Sequence, residues 1–412
     1  MNSRQRILAS IDHQEPDRLP VDLGATPSSG ISAIAYDNLL RILPLKDKRN
    51  WVYDVVQQVA QPSDEFLDYF SIDAIDLGRT FNQDDNDWYD YTLPNNSIAQ
   101  QPVWFKPEMH IDGSALVHKN GEAIAAMPAS AFSYDQIIFP FLDGYPARFG
   151  TNLDEAMGKV HWSALAHSPW DHANEEDFWD TLRIKAIELR ERSDRAIVLS
   201  AGCNLFEWGT FLRRLDNFLM DLILDPKGVE RLLDALMERH LNSLEKICAS
   251  VGDVVDIIRL GDDLGMNNGP LMGPNTYRKF FKPRHTVLCD FIKKNSNMRT
   301  FLHSCGSIYK LIPDLIDSGF EVINPVQTNS KDMQPERLKK EFGAEIAFWG
   351  GGADTRSVLN TGTPQEVMDH VRSNIETLAP GGGFIFNTIH NILPDVPPEN
   401  ILAMFKAIDN YR

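Results

Sequence analysis

His303 and Cys305 stand either side of Ser304, directly after the apolar run Thr300-Phe301-Leu302, and His390 follows a second such run, Phe384-Ile385-Phe386. In strand-like backbone, residues i and i+2 point the same way, so the imidazole and the thiol can converge on one point. Two imidazoles and a thiolate suit a zinc ion, with one tetrahedral position left open for chemistry. Spacing alone makes His-x-Cys a common accident, and its plain reading is a capped turn with a half-buried imidazole and an inert thiol. A third donor, His390, makes it a ligand set.

Donors so far apart in the chain need a scaffold that gathers them. Strand-like runs at 21–23, 74–77, 196–200, 254–260, 300–302, 322–325, 346–349 and 384–386 alternate with amphipathic stretches such as 229–250 and 364–378. Buried-type strands alternating with helices mean a parallel sheet. Eight such strands suit an α/β fold of the (β/α)8 TIM-barrel type, whose catalytic groups gather at the C-terminal strand ends. An open doubly wound sheet is the competing architecture, but no G-x-G-x-x-G turn follows the first strand.

The expected organisation is one barrel domain over 1–412 with an inserted antiparallel β-meander at 82–144. In that stretch aromatics alternate with turn residues, and Asp112-Gly113 and Asn120-Gly121 are hairpin signals.

Polar residues recur where a barrel puts its active site. Cys203, Asn204 and Glu207 follow the third strand, Asp262 and Asp263 the fourth, Gln327 the sixth, Asp354 the seventh and Asn387 the eighth. Each taken alone has a structural explanation, because Asp and Asn cap helices and Gly makes turns. Gly350-Gly351-Gly352 and Gly381-Gly382-Gly383 read as turns; no Lys-Ser/Thr follows them to complete a phosphate cradle. Phe206, Trp208, Trp349 and Phe384 can form an apolar wall around a substrate or be ordinary core.

Composition narrows the class. The chain has 412 residues, 43% hydrophobic and 24% charged, enough for a sizeable core. Its formal charge of -18 repels phosphate backbones and anionic lipids, and no basic patch stands out, so neither nucleic acid nor membrane is an expected partner. The four cysteines, Cys203, Cys248, Cys289 and Cys305, are widely spaced and are expected as reduced thiols. Without an apolar leader or a long apolar span, a cytoplasmic protein is expected.

Three stretches resemble the uroporphyrinogen decarboxylase superfamily: the opening around Glu15-Pro16-Asp17-Arg18-Leu19-Pro20, the segment Phe301-Leu302-His303-Ser304-Cys305-Gly306, and the ending His390-Asn391-Ile392-Leu393-Pro394 through Pro397-Pro398-Glu399-Asn400. The resemblance implies a (β/α)8 barrel and one of two chemistries, tetrapyrrole decarboxylation or zinc-dependent methyl transfer to or from a corrinoid protein. The methyltransferase branch is similar at His303 and Cys305; its last zinc ligand, a Cys, corresponds to His390 here, and His can replace Cys on zinc.

The decarboxylase branch implies an arginine-rich motif after the first strand. The stretch Gly24-Ala25-Thr26-Pro27-Ser28-Ser29-Gly30 has no cation, which argues against binding an octacarboxylate on an acidic protein.

The resemblance also implies an active-site aspartate at Asp262, completing the metal shell or orienting a ligand histidine, with Glu207 and Gln327 as supporting residues. Corrinoid is expected on a separate partner protein, since no Asp-x-His-x-x-Gly motif is present. The small molecule is a methyl donor or a thiol acceptor. The region 82–144 is open to use as a docking surface, a barrel-end cover or a homodimer contact. A non-catalytic binding barrel, with His390 in a structural hydrogen bond, is the remaining alternative.

Overall fold

The computed structural model describes residues 1–411. Seven strands make one parallel sheet and pair with one another in chain order: β1 (Ala74–Asp76), β2 (Ala196–Gly202), β3 (Ile257–Gly261), β4 (Arg299–His303), β5 (Val322–Asn324), β6 (Ala347–Trp349) and β7 (Phe384–Ile385). They are apolar on both faces, as strands covered on both sides must be. Along each strand alternate residues join different cores. Ile197, Leu199, Ile258, Leu260 and Leu302 pack outward beneath the helices. Val198, Ile257, Phe301, Val322, Ala347, Trp349 and Ile385 form a separate inner cluster.

A parallel sheet with its own inner plug is curled, and its edges nearly meet. Val21 pairs in parallel with Phe386, and the Asp73 N–H beside β1 donates to the Val21 carbonyl at 2.7 Å. The α/β fold is thus a curled parallel sheet consistent with a TIM-like barrel. The run expected as the first strand contributes one bridging residue instead. Pro20 has no N–H to give a ladder, and Gly24 turns the chain at φ +93°.

Helices lie against the outer face. The largest, α2 (Pro226–Val251), follows the shorter α1 (Phe206–Arg213). α2 buries a stripe of Leu232, Leu233, Leu236, His240, Leu244, Ile247 and Val251, recurring every three to four residues. Among the described residues no helix is long and apolar enough to cross a membrane, and all four cysteines are free.

The stretch 82–144, expected as one meander, divides between two antiparallel arrangements. Residues 108–136 form a four-stranded meander whose Asn120-Gly121 turn puts both residues at positive φ, 53° and 80°. Residues 88–102 form a hairpin that instead joins a sheet with Ile31–Ser32, Trp51–Asp54 and Val59–Gln61.

Candidate metal centre

His303 ends β4, Cys305 lies in the loop just beyond it, and His390 lies in the loop after β7, so all three donors sit at the C-terminal ends of strands. One ligand atom from each lies within 4.8 Å of the other two. Cys305 Sγ is 3.4 Å from His303 Nε2. Zinc–ligand bonds of 2.0–2.3 Å at tetrahedral angles put donor atoms roughly 3.3–3.8 Å apart, so this pair already has the spacing of a shared ion. The His390 ring meets that of His303 edge-on, with centroids 5.8 Å apart.

The orientation of His303 is fixed from behind. Asn324, its register partner on β5, uses its amide N–H on the Trp349 carbonyl at 2.9 Å. That leaves the Asn324 Oδ1 to accept from His303 Nδ1 at 2.7 Å, with Ser28 Oγ also 3.0 Å from the same nitrogen. With its proton held on Nδ1, the ring presents the Nε2 lone pair to Cys305. The turn after His303 is pinned as well. Asp263 Oδ1 accepts from the Cys305 N–H at 2.8 Å, and Gln327 Oε1 accepts from the Gly306 N–H. Gly306 sits at φ +84°, and a Cβ there would come within 2.4 Å of the Gly265 carbonyl carbon, so only glycine fits.

Electrostatics favour neutral imidazoles. Burial, with Arg259 and His390 adding to it, holds His303 well below the ordinary histidine range. Burial, then Arg259 and Arg356, brings His390 down to about 4. Burial together with Asp263 and Glu207 pushes the Cys305 thiol well above its usual value. A buried thiol among carboxyls becomes a thiolate when a cation arrives, and the donor chemistry fits zinc.

The residues expected to support the donors are placed as follows. The Asp262 carboxylate does not face the three donors. Its oxygens accept from the N–H groups of Phe206 (3.0 Å) and Glu207 (2.9 Å) at the start of α1, and it pairs with His285 at 3.2 Å. The carboxylate of its neighbour Asp263 lies 3.7 Å from His303 Nε2. Gln327 hydrogen-bonds to the loop backbone at Gly306. Glu207 accepts from Asn204, and burial with the nearby Asp263 and Asp262 pushes its carboxyl well up.

Asp354 caps its own turn through Ser357 and the Arg356 N–H, and Asn387 donates to the carbonyls of Asp22 and Ser29. Of the aromatics, Phe206 and Phe384 belong to the outer core, with Trp208 packed against it, while Trp349 fills the barrel and donates to Asp22 at 2.8 Å.

Sequence reasoning missed Ser28, Arg259 and Asn324. Arg259 and Asn324 lie within strands, at inward positions toward the C-terminal end. The period-two alternation that separates the inner cluster from the outer one identifies those positions.

A family model described as uroporphyrinogen decarboxylase (URO-D) matches residues 206–411. The methylcobamide:CoM methyltransferase MtaA of Methanosarcina barkeri is 28% identical over 159 residues, 38% of this chain and 42% of that protein. A uroporphyrinogen decarboxylase of Magnetococcus marinus is 22% identical over 189 residues, 44% of this chain and 48% of that protein. The chain thus spans less than half the length of the curated relatives it matches. A solved methyltransferase from Methanosarcina mazei has the same fold over 100% of this chain and 99% of its own, with a TM-score of 0.57 at 16% identity. The matched half of the sequence contains β3 to β7 and every candidate metal donor, and on that ground the chain belongs to the uroporphyrinogen decarboxylase (URO-D) family.

Proposed function

We propose that this protein is a zinc-dependent methyltransferase that moves a methyl group between a small molecule, either a methyl donor or a thiol, and a corrinoid carried by a partner protein. The observation that carries the reading is the convergence of His303, Cys305 and His390 within 4.8 Å at the strand ends, with the His303 tautomer held by Asn324. A zinc ion held by these three supplies a Lewis acid that lowers the pKa of a bound thiol or stabilises a leaving heteroatom.

The remaining roles belong to the chain itself. Ser28 and Asn324 keep Nε2 of His303 turned to the open position, and Asp263 and Gln327 hold the Cys305 loop against β4. Asp263, with Oδ1 3.7 Å from His303 Nε2, takes a proton released there. The likeness to a methylcobamide:CoM methyltransferase supports the reading, as does the absence of any cation between Gly24 and Gly30 for a polycarboxylate. We read 1–412 as a single barrel domain into which 82–144 is inserted.

Protein purified without a metal-affinity tag is expected to contain near-stoichiometric zinc, and Cys305→Ser to lose it. Mixed with a Co(I) corrinoid protein and a panel of methoxylated aromatics, methylamines, methanol and thiols, the wild type is expected to change the cobalt absorption with one class. Zinc-free protein that forms coproporphyrinogen would overturn the assignment in favour of decarboxylation.

A further inference from the structure

A cavity of about 350 Å³ opens at the N-terminal end of the sheet, at the far end of the strands from His303, Cys305 and His390. Its apolar wall is built by Leu19, just before the Val21 bridge, by Ile375 and Ala379 around the end of the helix Pro364–Leu378, and by Phe384, which opens β7. Ser10, on the last turn of the helix Ser3–Ile11, completes it. The volume falls in the range of small-molecule sites.

Ser10 is fully buried, and its Oγ has no hydrogen-bond partner, while its carbonyl accepts from the Gly383 N–H at 2.8 Å. A helical serine usually turns its hydroxyl back to the preceding turn or out to water. Here it does neither, and a buried hydroxyl left open is costly unless a ligand completes it.

The mouth of the cavity is acidic. Asp17 is matched by Arg6 at 2.8 Å and by the N-terminal amine at 2.7 Å, and Arg18 is matched by Asp73 at 2.8 Å. Among the described residues Glu15 and Glu376 form no ion pair, and both are exposed. Glu15 Oε2 accepts from the Gly381 N–H at 3.0 Å, and Glu376 Oε1 accepts from the Tyr411 hydroxyl at 2.8 Å, which leaves each a second oxygen. Lys339 interacts with Glu15 through space, but its amine donates to the Gly382 carbonyl at 2.6 Å.

The cavity thus has two polar ends, free carboxylate oxygens at the mouth and an open hydroxyl within, joined by an apolar wall. Carboxylates favour a cation, and the wall favours hydrocarbon. We infer that this cavity is a second ligand site, for a primary amine on an aromatic or alkyl body whose far end carries a hydroxyl. The ammonium meets Glu15 and Glu376, the body lies against Leu19, Ile375 and Phe384, and the hydroxyl meets Ser10 Oγ. Its ligand sits at the opposite end of the strands from the three donors and is a regulator, not the reacting substrate. The inference does not rest on the metal-centre reading.

Calorimetric titration of the intact protein tests it with three probes: tyramine, phenethylamine, which lacks the hydroxyl, and tyrosol, which replaces the amine with a neutral alcohol. Tyramine is expected to bind about 3- to 10-fold tighter than either twin. The double variant Glu15→Gln with Glu376→Gln is expected to erase the preference over tyrosol, and Ser10→Ala the preference over phenethylamine. The glutamines keep an oxygen for Gly381 and Tyr411, and the alanine removes only the open hydroxyl, so unchanged melting temperatures are expected. Ala379→Phe, which fills the cavity, is expected to abolish binding of all three; if it fails to fold, the other variants decide.

No binding, or equal binding of the three probes by the wild type, identifies a water-filled cleft only and overturns the inference. So does a preference that survives its matched variant. Cys305→Ser is expected to bind tyramine as the wild type does, and loss of binding there places the amine at the donors and overturns the inference as well.

Discussion

Asn324 shows how much of a candidate donor's behaviour is set by the residue behind it. Its amide is committed at both ends, to the Trp349 carbonyl and to the His303 ring. Asn324→Ala is expected to leave the fold intact and weaken zinc binding about 10- to 100-fold, read by competition with a chromogenic chelator. The convergence of His303, Cys305 and His390 was legible in the sequence because donor chemistry is a property of residue type. Asn324 and Arg259 were not, because a polar residue inside an apolar strand draws no attention until the face it occupies is known. Asp262 and Asp263 illustrate the same limit. Two adjacent aspartates differ only in direction, and the structure assigns one to the α1 backbone and the other to Cys305.

At the scale of elements, α2 places an imidazole where acid will find it. His240 is buried, donates from Nε2 to the Asn204 carbonyl at 2.8 Å, and is held at about 4, chiefly by burial. The unfolded chain takes up that proton near 6.5, so stability from neutral His240 is complete above that pH and is lost as pH falls toward 4. Between pH 6.5 and pH 5 the loss from this residue is about 2 kcal/mol. Denaturant unfolding at both pH values is expected to show it, and to show a smaller decline in His240→Phe. The strands of the parallel sheet were legible from their apolar runs and the helices between them. Ile31–Ser32 and Val59–Gln61 were not, being too short for any periodicity to register.

The whole molecule divides its labour between the two ends of the sheet. At the C-terminal end lie the donors. At the N-terminal end the buried carboxylates are gripped by arginines: Asp73, fully buried, accepts from Arg6 and Arg18, and Asp256 from Arg4 and Arg190. Asp73→Ala leaves Arg18 without its carboxylate and Arg6 with Asp17 alone, and is expected to cost about 3–5 kcal/mol in denaturant unfolding. Zinc content measured on the fraction that remains folded is expected to be unchanged.

The Val21–Phe386 bridge also has a meaning for synthesis. Asn387 hydrogen-bonds to Asp22 across 365 residues of chain. An emerging polypeptide must therefore hold its early segment in waiting while nearly all the rest is translated. Until then the seam stays raw, and the cell's holding factors have one stretch, around Val21, to shelter.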